Sequence, residues 1–288
     1  MKIDLHMHST ASDGKLSPEE LVDWAIEKGM KGFAITDHEV VGGSRRAIEY
    51  AEGKEIEVVS GIEIGADDEE LGVYDVHIVG LFLDLENKGL LDLSEKLMKA
   101  REVQKRGMIV KLNDLGYEIS FEELMREVDG VNYGRPHIAQ ILMRRYSEFK
   151  SISDVFDKLL GYTGSANVVQ RKEGIAKTIE VIHSAGGVAI LAHPMFREDY
   201  ESVIDKFVDL GGDGIEVDYF YGNRKTGENV GLELVERVRR IAEKKGLIIS
   251  GGGDFHRSSD PHEIGDYGVS EKECDMLKKY WSEKWKKN

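Results

Sequence analysis

The sequence predicts an α/β fold, and two observations support this. Short apolar or β-branched segments alternate with amphipathic helical segments along most of the chain, the pattern of repeated β-α units. The length of 288 residues suits one large α/β barrel or two domains of ordinary size. A hydrophobic content of 41% and a charged content of 32% are typical of a globular protein.

The predicted elements follow from this alternation. Seven strands are predicted near Lys2–His6, Gly32–Thr36, Glu57–Ile62, Tyr74–Leu81, Val188–Ala192, Gly214–Val217 and Leu247–Ser250. Helices are predicted over Ser17–Lys28, Ser44–Glu52, Ile175–Ala185, Tyr200–Leu210 and Gly231–Lys245. Ser17 precedes Pro18 and Glu20, which is typical of an N-cap, and glycines such as Gly29 and Gly246 mark helix ends.

The middle of the chain differs, because the strand pattern disappears between about Asn87 and Lys172. Helical patterns there cover Leu90–Leu115, Ser120–Glu127, Arg135–Arg145 and Ile152–Leu160. We therefore predict that residues 87–172 form an inserted helical subdomain. Residues 1–86 and 173–288 are predicted to form the barrel.

Charge and composition restrict the partners and the location. A formal charge of −15 argues against binding to an extended nucleic acid duplex, which requires a basic surface, but leaves a small anionic substrate open. No apolar stretch approaches the roughly 20 residues of a membrane span. The N-terminus does not resemble a signal peptide, and a single cysteine, Cys274, excludes an internal disulfide. We expect a cytoplasmic protein without a membrane partner.

Six of the nine histidines lie in or just after short apolar segments and beside carboxylates. They are His6, His8, His38, His77, His193 and His256. Residues i and i+2 of a strand project to the same face, so His6 and His8 can hold one ion together. A ligand set of imidazole and carboxylate without thiolate favours Zn, Mn or Fe in an open hydrolytic site.

The candidate ligands are also placed consistently. His38, Glu63, His193 and the pair Asp254 and His256 lie at or just beyond the carboxyl ends of strands that we predict to be parallel. In α/β barrels this rim carries the active site. The topology therefore supports the metal site that the residue types suggest.

The order of these motifs resembles the PHP family, named for polymerase and histidinol phosphatase, over nearly the whole chain outside the insertion. The matching motifs are His6-Met7-His8, Asp13, Thr36-Asp37-His38, Gly61-Ile62-Glu63, His77, Ala192-His193-Pro194 and Asp254-Phe255-His256. The resemblance implies a distorted (β/α)7 TIM-like barrel, the PHP fold, with two or three divalent metal ions. Mn, Fe and Zn all suit these ligands.

The resemblance also implies a ligand set for each ion. The first ion would take His6, His8, Glu63 and Asp254. The second would share Glu63 and add His77 and His193, and the third would take Asp13, His38 and His256. His77 lies within a predicted strand, so a core histidine bonded to a backbone carbonyl is the alternative.

Two aspartates are candidates for orienting the imidazoles. Asp4 and Asp37 are predicted to do so, as metal-bound histidines commonly require, the alternative being a capping or turn role. Two other histidines are left out of the site. His183 lies on a predicted helix face, and His262 lies in a polar loop where we expect it to be exposed to solvent.

Several cationic residues are candidates for binding substrate. Gly134-Arg135-Pro136-His137 begins a predicted helix, where backbone donors favour an anion. This segment, together with Arg171 and Lys172, resembles phosphate-binding elements of the PHP subgroup that hydrolyses nucleoside 3′,5′-bisphosphates and trims RNA 5′ ends. The resemblance implies that the inserted subdomain binds substrate and that the barrel binds the metal ions. Arg197 is a further candidate. The alternative for all of them is an ordinary surface or connecting residue.

The resemblance implies a phosphoesterase in which a metal-bound hydroxide near Glu63 attacks phosphorus. His193 and His256, and also His38, are candidates for protonating the leaving oxygen. The expected substrate is the 3′-phosphate of a nucleoside 3′,5′-bisphosphate or a short 5′-phosphorylated oligonucleotide. Three alternatives are histidinol phosphatase, a non-catalytic PHP module that serves a polymerase or another partner, and a carbon–nitrogen hydrolase. The last class usually uses a bridging lysine where this chain has Glu63.

Overall fold

The structure is a computed structural model that describes residues 2–70, 72–127, 133–222, 231–257 and 260–285. The chain divides into two compact units, one of residues 1–94 and 173–288 and one of residues 95–172. Among the described residues, no helix is both long enough and apolar enough to cross a membrane.

The elements alternate as the sequence predicts in the first unit. The strands are β1 (Gly32–Ile35), β2 (Glu57–Asp68), β3 (Val73–Leu81), β4 (Glu173–Gly174), β5 (Val188–Leu191), β6 (Gly214–Asp218) and β7 (Ile248–Gly251). The helices are α1 (Pro18–Glu27), α2 (Gly42–Ala51), α3 (Lys88–Asp114), α4 (Phe121–Arg126), α5 (Arg135–Arg145), α6 (Ile152–Val155), α7 (Ile175–Ser184), α8 (Tyr200–Asp209), α9 (Leu232–Lys245) and α10 (Glu271–Trp285). A π-helical turn covers Phe156–Leu160, and a 3₁₀ turn covers Pro194–Phe196.

The sheet of the first unit has the strand order β1-β2-β3-β5-β6-β7, with β4 paired to β2. The N-terminal segment closes this sheet into a barrel, because it bonds to both outer strands. The carbonyl of Asp4 accepts from the amide of Ala34, at 2.9 Å, and the amide of Leu5 donates to the carbonyl of Gly251, at 3.0 Å. The structure thus confirms the predicted α/β class and the distorted barrel.

The prediction of a continuous first strand at Lys2–His6 is wrong. The segment makes isolated bridges at Ile3, Asp4 and Met7 instead. Its neighbour on one side, the chain after Gly251, bends at Gly252 and Asp254. Asp254 has a left-handed φ of 53°, and a Cβ on Gly252 would lie 2.4 Å from Cβ of His6. This close approach interrupts the regular ladder of hydrogen bonds, but the segment remains bonded between the two outer strands of the sheet.

The strands β1, β2, β5 and β7, which carry or precede His38, Glu63, His193 and Asp254, run in one direction, as predicted. The strand that carries His77 differs. β3 pairs antiparallel with both β2 and β5, and β2 extends to Asp68 rather than ending at Ile62. Glu63 and His77 therefore lie within paired strands, where Glu63 faces Val79 and His77 faces Gly65 in the register. The short connection between β2 and β3 explains this, because a parallel crossover needs a dozen or more residues.

Each unit has its own apolar core. One cluster of the first unit includes Leu5, Val79 and Ile190, together with Leu277 of α10. The sequence analysis did not predict α10. The second unit is helical in its described part and packs around residues such as Met108, Ile138, Leu142 and Leu160.

Candidate metal centre

The candidate ligands come from several separate segments of the first unit. His6 and His8 lie on the closing N-terminal segment, His38 follows β1, and Glu63 and His77 lie in β2 and β3. The rings of His6 and His8 are 5.3 Å apart between centroids, so the two side chains do share one face. His193, Asp254 and His256 follow β5 and β7, and Asp13 follows the N-terminal segment.

Glu63 lies at the centre of the cluster and is buried. Its Oε2 lies 3.0 Å from Nδ1 of His38, 3.4 Å from Nε2 of His6 and 3.3 Å from Nε2 of His8. Its Oε1 lies on the other side of the carboxylate. That atom is 2.8 Å from Nδ1 of His77 and 3.2 Å from Nε2 of His193. One carboxylate thus faces two separate groups of imidazoles, as a bridging ligand would.

Three sets of side chains bring their donor atoms within 4.8 Å of one another, each set suited to holding one ion. They are His6, His8, Glu63 and Asp254; His38, Glu63 and His77; and His8, Asp13, His38 and His256. The rings of His6 and His193 lie 5.7 Å apart between centroids. All nine residues that the sequence predicted as ligands therefore lie together, although His193 belongs to none of the three sets.

Two candidate ligands that follow strands have strained backbones. His193 has φ 28° and ψ 55°, and Asp254 has φ 53°, both in the left-handed region that non-glycine residues rarely adopt. Such conformations cost on the order of 1–3 kcal/mol each and persist where the surroundings fix them. The turn at His193 directs its side chain towards Glu63, and the turn at Asp254 directs its side chain towards His6.

The donor atoms fit divalent ions. Among the described residues, His6 Nε2, His8 Nε2, Asp13 Oδ1 and Glu63 Oε2 are buried without a hydrogen-bond partner. His8 Nε2 lies 3.0 Å from Oδ1 of Asp254, but without the geometry of a hydrogen bond. Buried polar atoms without partners are costly, so this convergence of imidazole nitrogen and carboxylate oxygen is what a metal would satisfy.

The charges of the cluster support this assignment. Burial alone would raise the pKa of Glu63, but the nearby imidazoles of His38, His6 and His77 hold it well below its ordinary value. Burial likewise opposes ionisation of Asp13, whose pKa is kept well below its ordinary value by His256 and His38. Both carboxylates are therefore ionised at neutral pH and available to a cation.

Two buried residues that support the ligands were not singled out from the sequence. Glu216 of β6 lies with Oε1 3.1 Å from Nδ1 of His6, and its Oε2 accepts from the backbone amide of His193, at 2.8 Å. Tyr219 donates its hydroxyl to Oδ2 of Asp254, at 2.8 Å. The available signal was the pattern Ile215-Glu216-Val217, which places a carboxylate in an otherwise apolar strand.

The two aspartates predicted to orient imidazoles have other partners. Asp37 accepts from the backbone amide and hydroxyl of Ser9 and from the hydroxyl of Ser12. Asp4 accepts from the backbone amides of His6, Gly253 and Gly265. Burial raises the pKa of Asp4 to about 7. Asp4 thus fixes backbone amides, which is closer to the turn role given as the alternative. Asp37 bonds to the hydroxyl of Ser12, which itself lies 3.5 Å from Nδ1 of His8, so Asp37 reaches this imidazole through Ser12.

The prediction that His262 is exposed to solvent is wrong, since this residue is only 5% exposed. Its ring packs against the rings of Phe220, Phe255 and Tyr267, with centroid distances between 5.3 and 6.4 Å. The polar residues beside His262 in the sequence suggested exposure to solvent. The aromatic residues that pack against its ring are not its immediate neighbours in the sequence. His183 lies on α7, as expected, with Nε2 2.7 Å from Oδ2 of Asp213.

A cavity of about 210 Å³ opens at the cluster. It is lined by His38, Glu63, His77, His193, Phe196, Tyr219, Asp254 and His256. Phe196, in the 3₁₀ turn after His193, is 57% exposed, and its ring lies 5.7 Å from that of His193 and 5.4 Å from that of Tyr219 between centroids. The cavity thus combines a wall of metal-binding groups with an exposed aromatic ring.

The comparisons with known proteins agree with this geometry. The family model for the PHP domain matches residues 4–219, a range that includes seven of the nine candidate ligands. This chain belongs to the PHP domain family. A 5′-3′ exoribonuclease of Haemophilus influenzae is 35% identical over 259 residues, covering 88% of this chain and 90% of that protein. A 3′,5′-nucleoside bisphosphate phosphatase of Chromobacterium violaceum is 31% identical and covers 98% of this chain and 95% of its own length.

A solved structure from Bifidobacterium adolescentis, provisionally described as a metal-dependent phosphoesterase, has a TM-score of 0.80 and 25% identity. The match covers 95% of this chain and 94% of that one. This chain is therefore a PHP metal-dependent phosphoesterase, an enzyme with His, Asp and Glu groups able to hold metal ions. The predicted alternative of a non-catalytic PHP module is not retained.

The predicted substrate-binding residues of this PHP enzyme are placed as follows. Arg135 and His137 lie in the first turn of α5 in the second unit. The Arg135 guanidinium lies over the rings of Phe156 and Tyr162, at 5.8 and 5.4 Å from their centroids. His137 is buried, and its Nδ1 accepts from the amide of Gly134, at 3.0 Å, so it helps to cap the helix.

The other three cations lie outside that helix. Arg171 and Lys172 lie in the segment that leads into β4. Arg197, in the first unit, forms two bonds of 2.9 Å to the carboxylate of Asp199 and also donates to the carbonyl of Tyr74. Its guanidinium would have to leave these partners to bind a phosphate.

Proposed function

We propose that this PHP phosphoesterase releases the 3′-phosphate of nucleoside 3′,5′-bisphosphates or acts on short 5′-phosphorylated oligonucleotides. It would use two or three divalent ions of Mn, Fe or Zn, held by the nine residues of the cluster. The observation that carries the proposal is the small cavity in which six of these residues meet the exposed ring of Phe196. The names of the two relatives support the same substrate class.

The size and lining of the cavity divide the substrate into two parts. Its volume of about 210 Å³ lies below the roughly 300–1,000 Å³ of pockets that enclose a whole ligand. The cavity therefore suits the reacting phosphoryl group, and the base would remain outside. Phe196 offers a face at the mouth, and stacking on an aromatic ring is a common and sequence-tolerant way to hold a base.

The residues proposed as metal ligands determine what chemistry the site can perform. Divalent ions bound here would supply a nucleophile at neutral pH and neutralise the phosphoryl oxygens. Glu63 would hold two ions with its two oxygens, and Tyr219 would keep Asp254 in place through its hydroxyl. His193 and His256 both line the cavity, and either could protonate the leaving oxygen only while its ring is not bound to an ion, because a metal-bound imidazole is a poor general acid.

The second phosphate of the substrate needs its own cation. Arg135 is our candidate, because a guanidinium can bind a phosphate with two parallel hydrogen bonds, and Arg171, Lys172 and His137 would assist it. Arg197 is a weaker candidate because Asp199 already holds it. We include a cytoplasmic location in the proposal, because the single cysteine, Cys274, cannot form an internal disulfide.

A comparison of substrates tests the proposal. Metal-loaded protein would be assayed for phosphate release from adenosine 3′,5′-bisphosphate, histidinol phosphate and an aryl phosphate, and for hydrolysis of a model amide. We expect the highest kcat/KM for the bisphosphate, with adenosine 5′-phosphate as the product. A preference for histidinol phosphate would replace the proposal with that activity, and hydrolysis of the amide alone would indicate a carbon–nitrogen hydrolase.

A further inference from the structure

Glu216 connects two candidate ligands that come from different parts of the chain. It lies in β6, is only 2% exposed, and uses both carboxylate oxygens. Oε1 lies 3.1 Å from Nδ1 of His6, and Oε2 accepts from the backbone amide of His193 at 2.8 Å. No sequence motif of the metal cluster includes this residue.

The contact to His6 determines which of its ring nitrogens carries a proton. An ionised carboxylate can only accept, so Nδ1 of His6 must be the donor. In the neutral ring Nε2 is then left with a free lone pair. Nε2 points into the cluster, 3.4 Å from Oε2 of Glu63 and 3.6 Å from Oδ1 of Asp254, and has no hydrogen-bond partner.

The contact to His193 acts on the backbone instead. This residue has φ 28° and ψ 55°, and it begins the turn that carries Phe196. A left-handed conformation of a non-glycine residue needs a compensating interaction. The hydrogen bond from the His193 amide to Oε2 of Glu216 supplies this interaction, because it fixes the peptide group immediately before the strained residue.

We propose that Glu216 is a positioning residue that selects the metal-binding tautomer of His6 and, with its second oxygen, fixes the backbone of His193. Asp4, which the sequence suggested for such a role, bonds to the amide of His6 rather than to its ring. The inference concerns the metal-binding cluster and does not depend on which phosphate ester is the substrate.

Glu216→Gln is the sharpest test, because the amide has the same shape but only one accepting end. If its oxygen faces the amide of His193, its NH₂ group faces Nδ1 of His6 and favours the tautomer with the proton on Nε2. If the oxygen faces His6, two donors meet at His193 instead. We expect the first arrangement and a metal affinity weakened about 10- to 100-fold. We also expect a shift of the His6 tautomer in ¹⁵N NMR of metal-free protein, recorded at a pH where the His6 ring is neutral.

The matched control is Asp213→Asn, which places the same isosteric change at another buried carboxylate of the first unit. Asp213 bonds to His183, Ala189 and Tyr280 and to none of the candidate ligands. We expect Asp213→Asn to lower stability without weakening metal binding. In a His6→Ala background, Glu216→Gln should add little further loss of affinity. In the expected arrangement the glutamine oxygen still accepts from the amide of His193, so the substitution changes only the contact to His6.

Several results would overturn the inference. Unchanged metal affinity and an unchanged tautomer in Glu216→Gln would do so, as would equal loss of affinity in Asp213→Asn. If Glu216→Gln fails to fold, the wild-type ¹⁵N spectrum provides the test. Burial would lower the pKa of His6, but nearby carboxylates raise it well above its ordinary value, so the spectrum must be recorded at a pH high enough for the ring to be neutral. A proton on Nε2 and none on Nδ1 of the neutral ring in metal-free protein contradicts the proposal. Absence of metal binding in the wild type would instead overturn the proposed centre, whereas the tautomer measurement tests Glu216 by itself.

Discussion

Nε2 of His8 lies 3.3 Å from Oε2 of Glu63, and both atoms are buried without a hydrogen-bond partner. Two potential partners at this distance, neither of which satisfies the other, indicate that both are directed at a third atom. Divalent cations are the species that imidazole nitrogen and carboxylate oxygen bind together. Glu63 also faces His77 and His193 with its other oxygen, so its loss should affect more than one ion.

Glu63→Gln is therefore expected to lose bound metal and to lower kcat by at least about 100-fold, because the bridging charge disappears. Metal per chain after dialysis, measured by elemental analysis, checks the first part. Glu57→Gln, at an exposed glutamate of the same strand, is the control and should retain both metal and activity. Full metal content in Glu63→Gln would show that the cluster does not bridge ions through this residue.

Arg135→Ala should separate the bisphosphate from simple phosphate esters. If the guanidinium binds the phosphate that does not react, kcat/KM for adenosine 3′,5′-bisphosphate should fall about 10- to 100-fold, since a charged hydrogen bond contributes about 1.5–3 kcal/mol. Hydrolysis of an aryl phosphate should be nearly unchanged, and the metals should remain bound.

Arg126→Ala provides the control for this prediction, because Arg126 is an exposed arginine of α4 in the same unit. It should leave both substrates unaffected. Equal losses on both substrates in Arg135→Ala would place this residue at the reacting phosphate. No loss of activity on either substrate would show that Arg135 is an ordinary surface arginine.

Phe196→Leu removes the exposed ring at the mouth of the cavity and keeps an apolar side chain. Stacking contributes about 1–3 kcal/mol per base, so kcat/KM for the nucleoside bisphosphate should fall roughly 5- to 100-fold. Ribose 3,5-bisphosphate, which has no base, should be turned over as before. Phe196→Tyr retains the ring and should behave as the wild type; equal loss on the two substrates would show that Phe196 does not contact the base.

Asp213 gives a prediction for stability and pH. Burial would raise the pKa of this carboxyl, but hydrogen bonds from His183, Lys284, Ala189 and Tyr280 lower it to about 2. A lowered pKa in the folded state stabilises the protein above the unfolded pKa of about 3.9, and this contribution is lost as the pH falls towards 2.

The free energy of unfolding should therefore drop by at least about 2 kcal/mol at pH 7 in Asp213→Asn, with a smaller difference from the wild type near pH 2. Urea unfolding of both proteins at several pH values measures this. A difference that does not change between pH 7 and pH 2 would show that the ionised carboxylate is not what stabilises this end of the barrel.

The sequence predicted which side chains lie together because the signal is local. Histidine beside carboxylate at the end of an apolar segment indicates a candidate metal ligand without knowledge of the partner strand. The i and i+2 spacing of His6 and His8 was enough to place both rings on one face. The repeated β-α pattern likewise predicted the barrel, because each element must bury one apolar side.

Other features depended on contacts between distant segments. The antiparallel direction of β3 was missed, because the acidic stretch Asp67 to Glu70 concealed the extension of β2 and the short turn after it. Glu216 was missed, because a carboxylate within a strand is equally compatible with an exposed position. Only the packing of β6 against His6 and His193 shows that it is buried and what it contacts.

Phosphate release as a function of bound metal tests the central claim most directly. Protein stripped by a chelator would be titrated with Mn²⁺, Fe²⁺ or Zn²⁺, and hydrolysis of adenosine 3′,5′-bisphosphate would be followed together with the metal content per chain. We predict no activity in the stripped protein and activity that rises with bound metal to a plateau at two or three ions. Full activity without metal, or two or three bound ions with no phosphate released, would contradict the account.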